Sequence, residues 1–174
     1  MSPVSAVPAA DSGAALAHFS TLLSFETDCA DVHASLESDD PLSVDFVLLD
    51  VRSPEAYEQG HVPGAVNLPH RRIAERTLSD FPEDALYVVY CSGPHCNGAD
   101  RAAVRLARLG RKVKKMIGGA EGWKVEGFAL EKASSEESVG HGYGRMAPGG
   151  SARAAGEPAA GDVFVDSRSC KGRS

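Results

Sequence analysis

Phe46-Val47-Leu48-Leu49-Asp50-Val51 is a short run that stays apolar up to position 50. A strand with one wet face alternates polar and apolar side chains, so this unbroken run predicts a strand covered on both faces. Just downstream, Ser53-Pro54 opens a short helix, because proline at the first helical position has a suitable φ and no amide to waste, and Gly60 stops it. Ala65-Val66-Asn67-Leu68 reads as a second strand, 71–78 as a helix, Leu86-Tyr87-Val88-Val89-Tyr90 as a third strand, 99–109 as a helix and 113–117 as a last strand. In the helix over 99–109, Ala99, Ala103, Leu106 and Ala107 are expected to face inward and Arg101, Arg105 and Arg108 outward. Upstream, Leu16, Phe19 and Leu22 or Leu23 recur at helical spacing over 13–25. Cys29, Val32 and Leu36 then form the stripe of a second helix, capped by Thr27 or Asp28. Strands alternating with helices in buried, β-branched runs predict an α/β fold with a mainly parallel central sheet, flanked by helices on both faces.

The chain has 174 residues, 43% hydrophobic and 24% charged, which is ordinary globular composition and enough for one domain with a remainder. Apolar stretches are all broken within a handful of residues, so no membrane span is expected. Residues 1–51 hold nine acids and no Lys or Arg, so the N-terminus has neither the basic region of a secretory signal nor the arginines of a presequence, and a cytoplasmic protein is expected. Over 52–133, 13 basic residues against 10 acids leave too little positive charge for nucleic acid as a partner. Four cysteines without an export signal predict reduced thiols, not a disulfide framework. The division expected is a disordered N-terminus over 1–12, a domain over 13–133 and a disordered tail over 134–174, where 8 of the 18 glycines fall. Within that tail Val163-Phe164-Val165 is the one apolar patch.

Ligands of a parallel sheet gather outside the carboxyl ends of its strands, and Cys91 lies there, directly after the strand ending at Tyr90. The segment Cys91-Ser92-Gly93-Pro94-His95-Cys96-Asn97-Gly98 then feeds the next helix. Two glycines let such a loop curl so that its amides converge, and the helix start adds partial positive charge, a setting that lowers a thiol pKa from its usual ~8.5 and makes a nucleophile. The competing reading takes Cys91 as a small hydrophobe at a strand end.

Four ordered blocks bear on that choice. Leu49-Asp50-Val51-Arg52 with Pro54-Glu55-Ala56-Tyr57, Gly60-His61-Val62-Pro63-Gly64-Ala65-Val66-Asn67-Leu68, Val88-Val89-Tyr90-Cys91 and Gly118-Gly119-Ala120-Glu121-Gly122-Trp123 together resemble the rhodanese (sulfurtransferase) family over roughly 27–133. The resemblance implies a rhodanese-like three-layer domain in which Cys91 accepts sulfane sulfur. A small anionic donor such as thiosulfate would leave a persulfide there, and a thiol, cyanide or a protein acceptor would collect it. It implies no metal or organic cofactor. Ser92, Gly93, His95, Cys96, Asn97, Gly98 and Arg101 are the candidate donor-binding residues, with backbone amides acting as an oxyanion hole acts. The loop departs from the family pattern, since two residues are inserted and no arginine occurs before Arg101.

Alternatives remain at this level. Cys96 is a resolving thiol, a packing residue or the nucleophile itself. A phosphatase or arsenate-reductase signature on Cys96 and Arg101 is one residue short, because only 97–100 intervene. A dithiol redox protein, a non-catalytic binding or sensor module, and a zinc site drawing Cys29 and His33 to Cys91, His95 and Cys96 complete the set. Asp50 is expected to bond nearby amides and Arg52 to pair with Glu55. His61 and Asn67 are expected to hold turns, and Trp123 to lie in the core.

Overall fold

A computed structural model describes residues 1–40 and 42–132. The expected tail, with Cys170 and the 163–165 patch, lies outside the described residues. In chain order the elements are α1 (Ser12–Phe25), β1 (Glu26–Thr27), α2 (Cys29–Leu36), β2 (Phe46–Asp50), α3 (Pro54–Gln59), β3 (Val66–Asn67), β4 (Leu86–Tyr90), α4 (Gly98–Arg108), β5 (Lys112–Met116) and α5 (Gly119–Val125). Ahead of α1, residues 1–11 are exposed and form one 3-10 turn at Pro3–Ser5.

The five strands run in the order β1-β5-β4-β2-β3, every pair parallel, which makes the fold α/β as expected. β2 and β4 occupy the middle, pairing from Phe46↔Leu86 to Asp50↔Tyr90, and all five residues of β2 are buried. Strand periodicity sorts their side chains between two cores. Val47, Leu49 and Val51 join Tyr87, Val89 and Cys91 on one face, where Ala99, Ala102 and Leu106 of α4 cover them. Phe46 and Leu48 join Val88 and Tyr90 on the other, beneath Cys29 and Val32 of α2 and Ala120 and Trp123 of α5. Cys91 therefore belongs to the α4 face and Cys29 to the opposite one.

Two local expectations are corrected. The helix expected over 71–78 is instead two 3-10 turns, His70–Arg72 and Glu75–Thr77, separated by extended backbone at Ile73 and Ala74. Ile73 and Leu78 are both core residues; on one continuous helix they would sit ~140° apart, so the backbone must break for both to point inward. The Thr77 hydroxyl holds that break, accepting from the Ala74 amide at 3.0 Å and lying 2.8 Å from the Arg72 carbonyl. On α4 the inward stripe is Ala99, Ala102 and Leu106, with Ala103 at its margin and Ala107 exposed. The stripe of α1 is present but uncovered, with Leu16 71%, Phe19 59% and Leu23 69% exposed. Among the described residues no helix is long and apolar enough to cross a membrane.

Candidate active site

The end of β4 is pinned from below. Tyr90 donates its hydroxyl proton to Asp50 Oδ2 at 2.8 Å and accepts the Val62 amide at 3.0 Å. Burial, reinforced by the Asp50 carboxylate, pushes that hydroxyl well above the usual tyrosine range, so it stays a donor. Asp50 is fully buried yet satisfied, because Arg52 grips both carboxylate oxygens and its own amide donates to Oδ1 at 3.0 Å. The expected pairing of Arg52 with Glu55 is thus replaced by one with Asp50, a partly buried pair that needs this full set of donors to offset desolvation. Arg52 Nη2 also donates to the Gly60 carbonyl at 2.7 Å, tying α3 to the strand ends. Asn67 holds its turn as expected, donating to the carbonyls of Asp50 and Arg52. His61 stacks on Tyr57 with centroids 3.7 Å apart.

Immediately above this network, Cys91 is 7% exposed. Its carbonyl accepts the Ala120 amide at 3.0 Å and the Ser92 carbonyl accepts Glu121 at 2.8 Å, so the first turn of α5 is docked on the loop. That docking requires glycine at 119, where φ is +60° and a β-carbon would collide with the Cys91 carbonyl oxygen. The loop turns back through a Cys96 amide to Gly93 carbonyl bond of 3.0 Å. The expectation of reduced thiols is corrected at Cys91 and Cys96, which are joined as a disulfide with Cα atoms 6.3 Å apart, whereas Cys29 is free. Gly98, the first residue of α4, lies against both sulfurs, since a β-carbon there would be 2.7 Å from Cys91 Sγ and 3.4 Å from Cys96 Sγ.

A pocket of about 190 Å³ opens beside the pair, lined by Cys91, Gly93, Pro94, Cys96, Ala99, Asp100 and residues 115–119. Of the candidate residues, Cys91, Gly93 and Cys96 line it. Ser92 contributes its carbonyl to α5, His95 and Asn97 are exposed, and Asn97 precedes α4 without a side-chain cap bond. Arg101 is exposed on α4 and lies outside the pocket wall. Its charge, with those of Arg71 and Arg105, adds to burial in holding the His70 imidazole below its ordinary pKa.

The pocket's cation is Lys115, which the sequence reading did not single out. Its ammonium contacts Glu26 at 2.9 Å and Asp100 at 3.0 Å, and the parallel register sets Glu26 directly beside it. A lysine one residue from the end of the last strand was the available signal, masked by Lys112 and Lys114 in the same run.

The ligands proposed for zinc do not converge. Cys29 lies on the opposite face, its thiol donating to the Ile117 and Gly119 carbonyls at 3.4 and 3.6 Å. His33 stacks on Phe128. Burial, with Asp28 and Glu126 nearby, pushes the Cys29 thiol up to about 11, which makes it inert as well as remote.

A strand-end cysteine in an amide-rich loop between two helix starts defines the class, and comparison with known proteins agrees. Residues 28–126 match the family described as Rhodanese-like domain, and the chain belongs to that family. It is 39% identical over 99 residues to the HTH-type transcriptional regulator Rv0324 of Mycobacterium tuberculosis, covering 56% of this chain and 42% of that protein. The chain thus spans less than half of that regulator. It is 37% identical over 80 residues to the thiosulfate sulfurtransferase GlpE of Pseudomonas syringae, covering 45% of this chain and 73% of that one. Among solved structures, the BH2092 protein of Bacillus halodurans superposes with a TM-score of 0.66 at 36% identity, covering 70% of this chain and 87% of the other.

Proposed function

We propose that the chain is a sulfurtransferase that moves sulfane sulfur from a thiosulfate-like anion to a thiophilic acceptor through a persulfide on Cys91. The observation that carries this reading is the placement of Cys91 at the carboxyl end of a central strand, facing a pocket and touching the first residue of α4. Once the disulfide is reduced, the first-turn amides of α4 and the loop amides favour a thiolate at Cys91. Among the described residues, the amides of Ser92, Gly93, His95 and Asn97 donate to no other group of the chain, which leaves them for donor oxygens and the persulfide anion. The thiolate attacks the outer sulfur of the donor, the sulfur–sulfur bond breaks, and sulfite departs with the electron pair. The acceptor then attacks the terminal sulfur and frees Cys91. Lys115, held between the carboxylates of Asp100 and Glu26, is the cation on the pocket wall that a donor oxygen can meet. A cytoplasmic setting, rich in thiol acceptors, belongs to the same reading.

Thiosulfate-to-cyanide transfer by reduced protein is the test. Cys91→Ser should abolish turnover, and retention of activity by that variant would remove Cys91 from the mechanism. The likeness to a transcriptional regulator favours one second reading, a sensor module that uses the Cys91/Cys96 pair as a redox switch. Reduced wild type that turns over no sulfane donor, yet cycles the disulfide reversibly, would favour it.

A further inference from the structure

Two sulfurs, not one, face the pocket, and this arrangement has a chemical consequence. We propose that Cys96 resolves the Cys91 persulfide, so that the loop itself converts a thiosulfate-class donor into free sulfide, making the protein a dithiol-dependent reductase of sulfane sulfur. The proposal rests on Cys91 as the sulfur acceptor and adds a fate for that sulfur which needs no external acceptor.

Cys96 is already bonded to Cys91 in the structure, at a Cα separation of 6.3 Å, within the span of ~4.4–6.8 Å that disulfides use. The turn closed by the Cys96 amide on the Gly93 carbonyl holds the second thiol over the first, and Gly98 leaves room for both sulfurs above the start of α4. A thiol placed this way reacts at an effective concentration far above that of a dissolved thiol. The pocket beside the pair accommodates a departing sulfur. Cys29, on the opposite face with its thiol bonded to two carbonyls, does not compete.

In the resolving step the Cys96 thiolate attacks Cys91 Sγ, the bond from Cys91 Sγ to the sulfane sulfur breaks, and that sulfur leaves as hydrosulfide with the electron pair. The Cys96 proton balances the hydrosulfide. Both thiols are oxidised to the disulfide and the sulfane sulfur is reduced to sulfide. An external dithiol then reduces the disulfide and starts another cycle.

The experiment is a single turnover. Fully reduced chain, freed of reductant, receives one equivalent of thiosulfate without cyanide or added thiol. Sulfite, sulfide and intact mass are then measured. Expected are sulfite and sulfide in equal amounts and a protein lighter by two hydrogens, with the change in the tryptic peptide 77–101, which holds both cysteines. Cys96→Ser should instead keep the added sulfur and release sulfite without sulfide. Wild type that retains one added sulfur and yields no sulfide would overturn the resolving role while leaving the sulfurtransferase reading intact. Sulfide from Cys96→Ser would overturn it as well, by showing another route of release. Neither sulfite nor added sulfur would overturn both. The wild-type mass alone separates these outcomes should the variant fail to fold.

Discussion

At Gly98 helix propensity and packing pull in opposite directions. Alanine is favoured over glycine in a helix by ~1 kcal/mol, yet the added carbon would lie 2.7 Å from Cys91 Sγ. In the disulfide that sulfur cannot move away, whereas the reduced Cys91 side chain can rotate. Gly98→Ala should therefore lower the melting temperature of the oxidised protein more than that of the reduced protein, and cut thiosulfate turnover about tenfold or more by displacing the nucleophile. Equal melting shifts in the two redox states would contradict this account. Cys29 gives a second test at the same scale. Its thiol holds a proton up to about 11 when folded, against an ordinary 9.0, so the unfolded chain releases that proton first. The contribution to stability is intact below the ordinary value and is lost as pH rises through the folded one. Urea midpoints across that window should fall in wild type and fall less in Cys29→Ala.

Between elements, parallel register decides what surrounds the pocket. Pairing of β1 with β5 brings Glu26 beside Lys115, and α4 brings Asp100 to the same ammonium. A single partly exposed ion pair is worth ~0.2–1 kcal/mol, so folding tolerates its loss, but a small anionic donor loses the pocket's cation. Lys115→Met should raise KM for thiosulfate several-fold with a smaller change in kcat, as expected when a ground-state contact is removed; an unchanged KM would take Lys115 out of donor binding. The docking of α5 on the loop is stricter. Gly119→Ala meets both a left-handed φ and the Cys91 carbonyl, so about 2 kcal/mol or more of stability should be lost, read as a lower denaturation midpoint.

For the whole molecule, the sheet divides its apolar side chains between two cores, and the site stands where β2 and β4 leave the layer between them. Leu49 is fully buried in the middle of that layer, and Leu49→Ala should cost ~2–5 kcal/mol in unfolding free energy, with Cys91 reactivity preserved in the fraction that stays folded. The strand runs at 46–51 and 86–90, a cap at Thr27 or Asp28, which the fold settles on Asp28, and the helix opened by Ser53-Pro54 were legible in the chain, because each depends on neighbours within a few residues. From the same local logic came Cys91 as the strand-end thiol. What the chain alone could not decide depended on distant partners. Arg52 chose Asp50 over Glu55 because Tyr90 adds a donor to that carboxylate and the Gly60 carbonyl accepts from the guanidinium, the segment 71–78 broke so that Ile73 and Leu78 could both reach one core, and Lys115 became the pocket's cation only through the pairing of β5. Periodicity and capping act through the backbone nearby, whereas the partner of a buried charge is selected by whatever the folded sheet brings within hydrogen-bond reach.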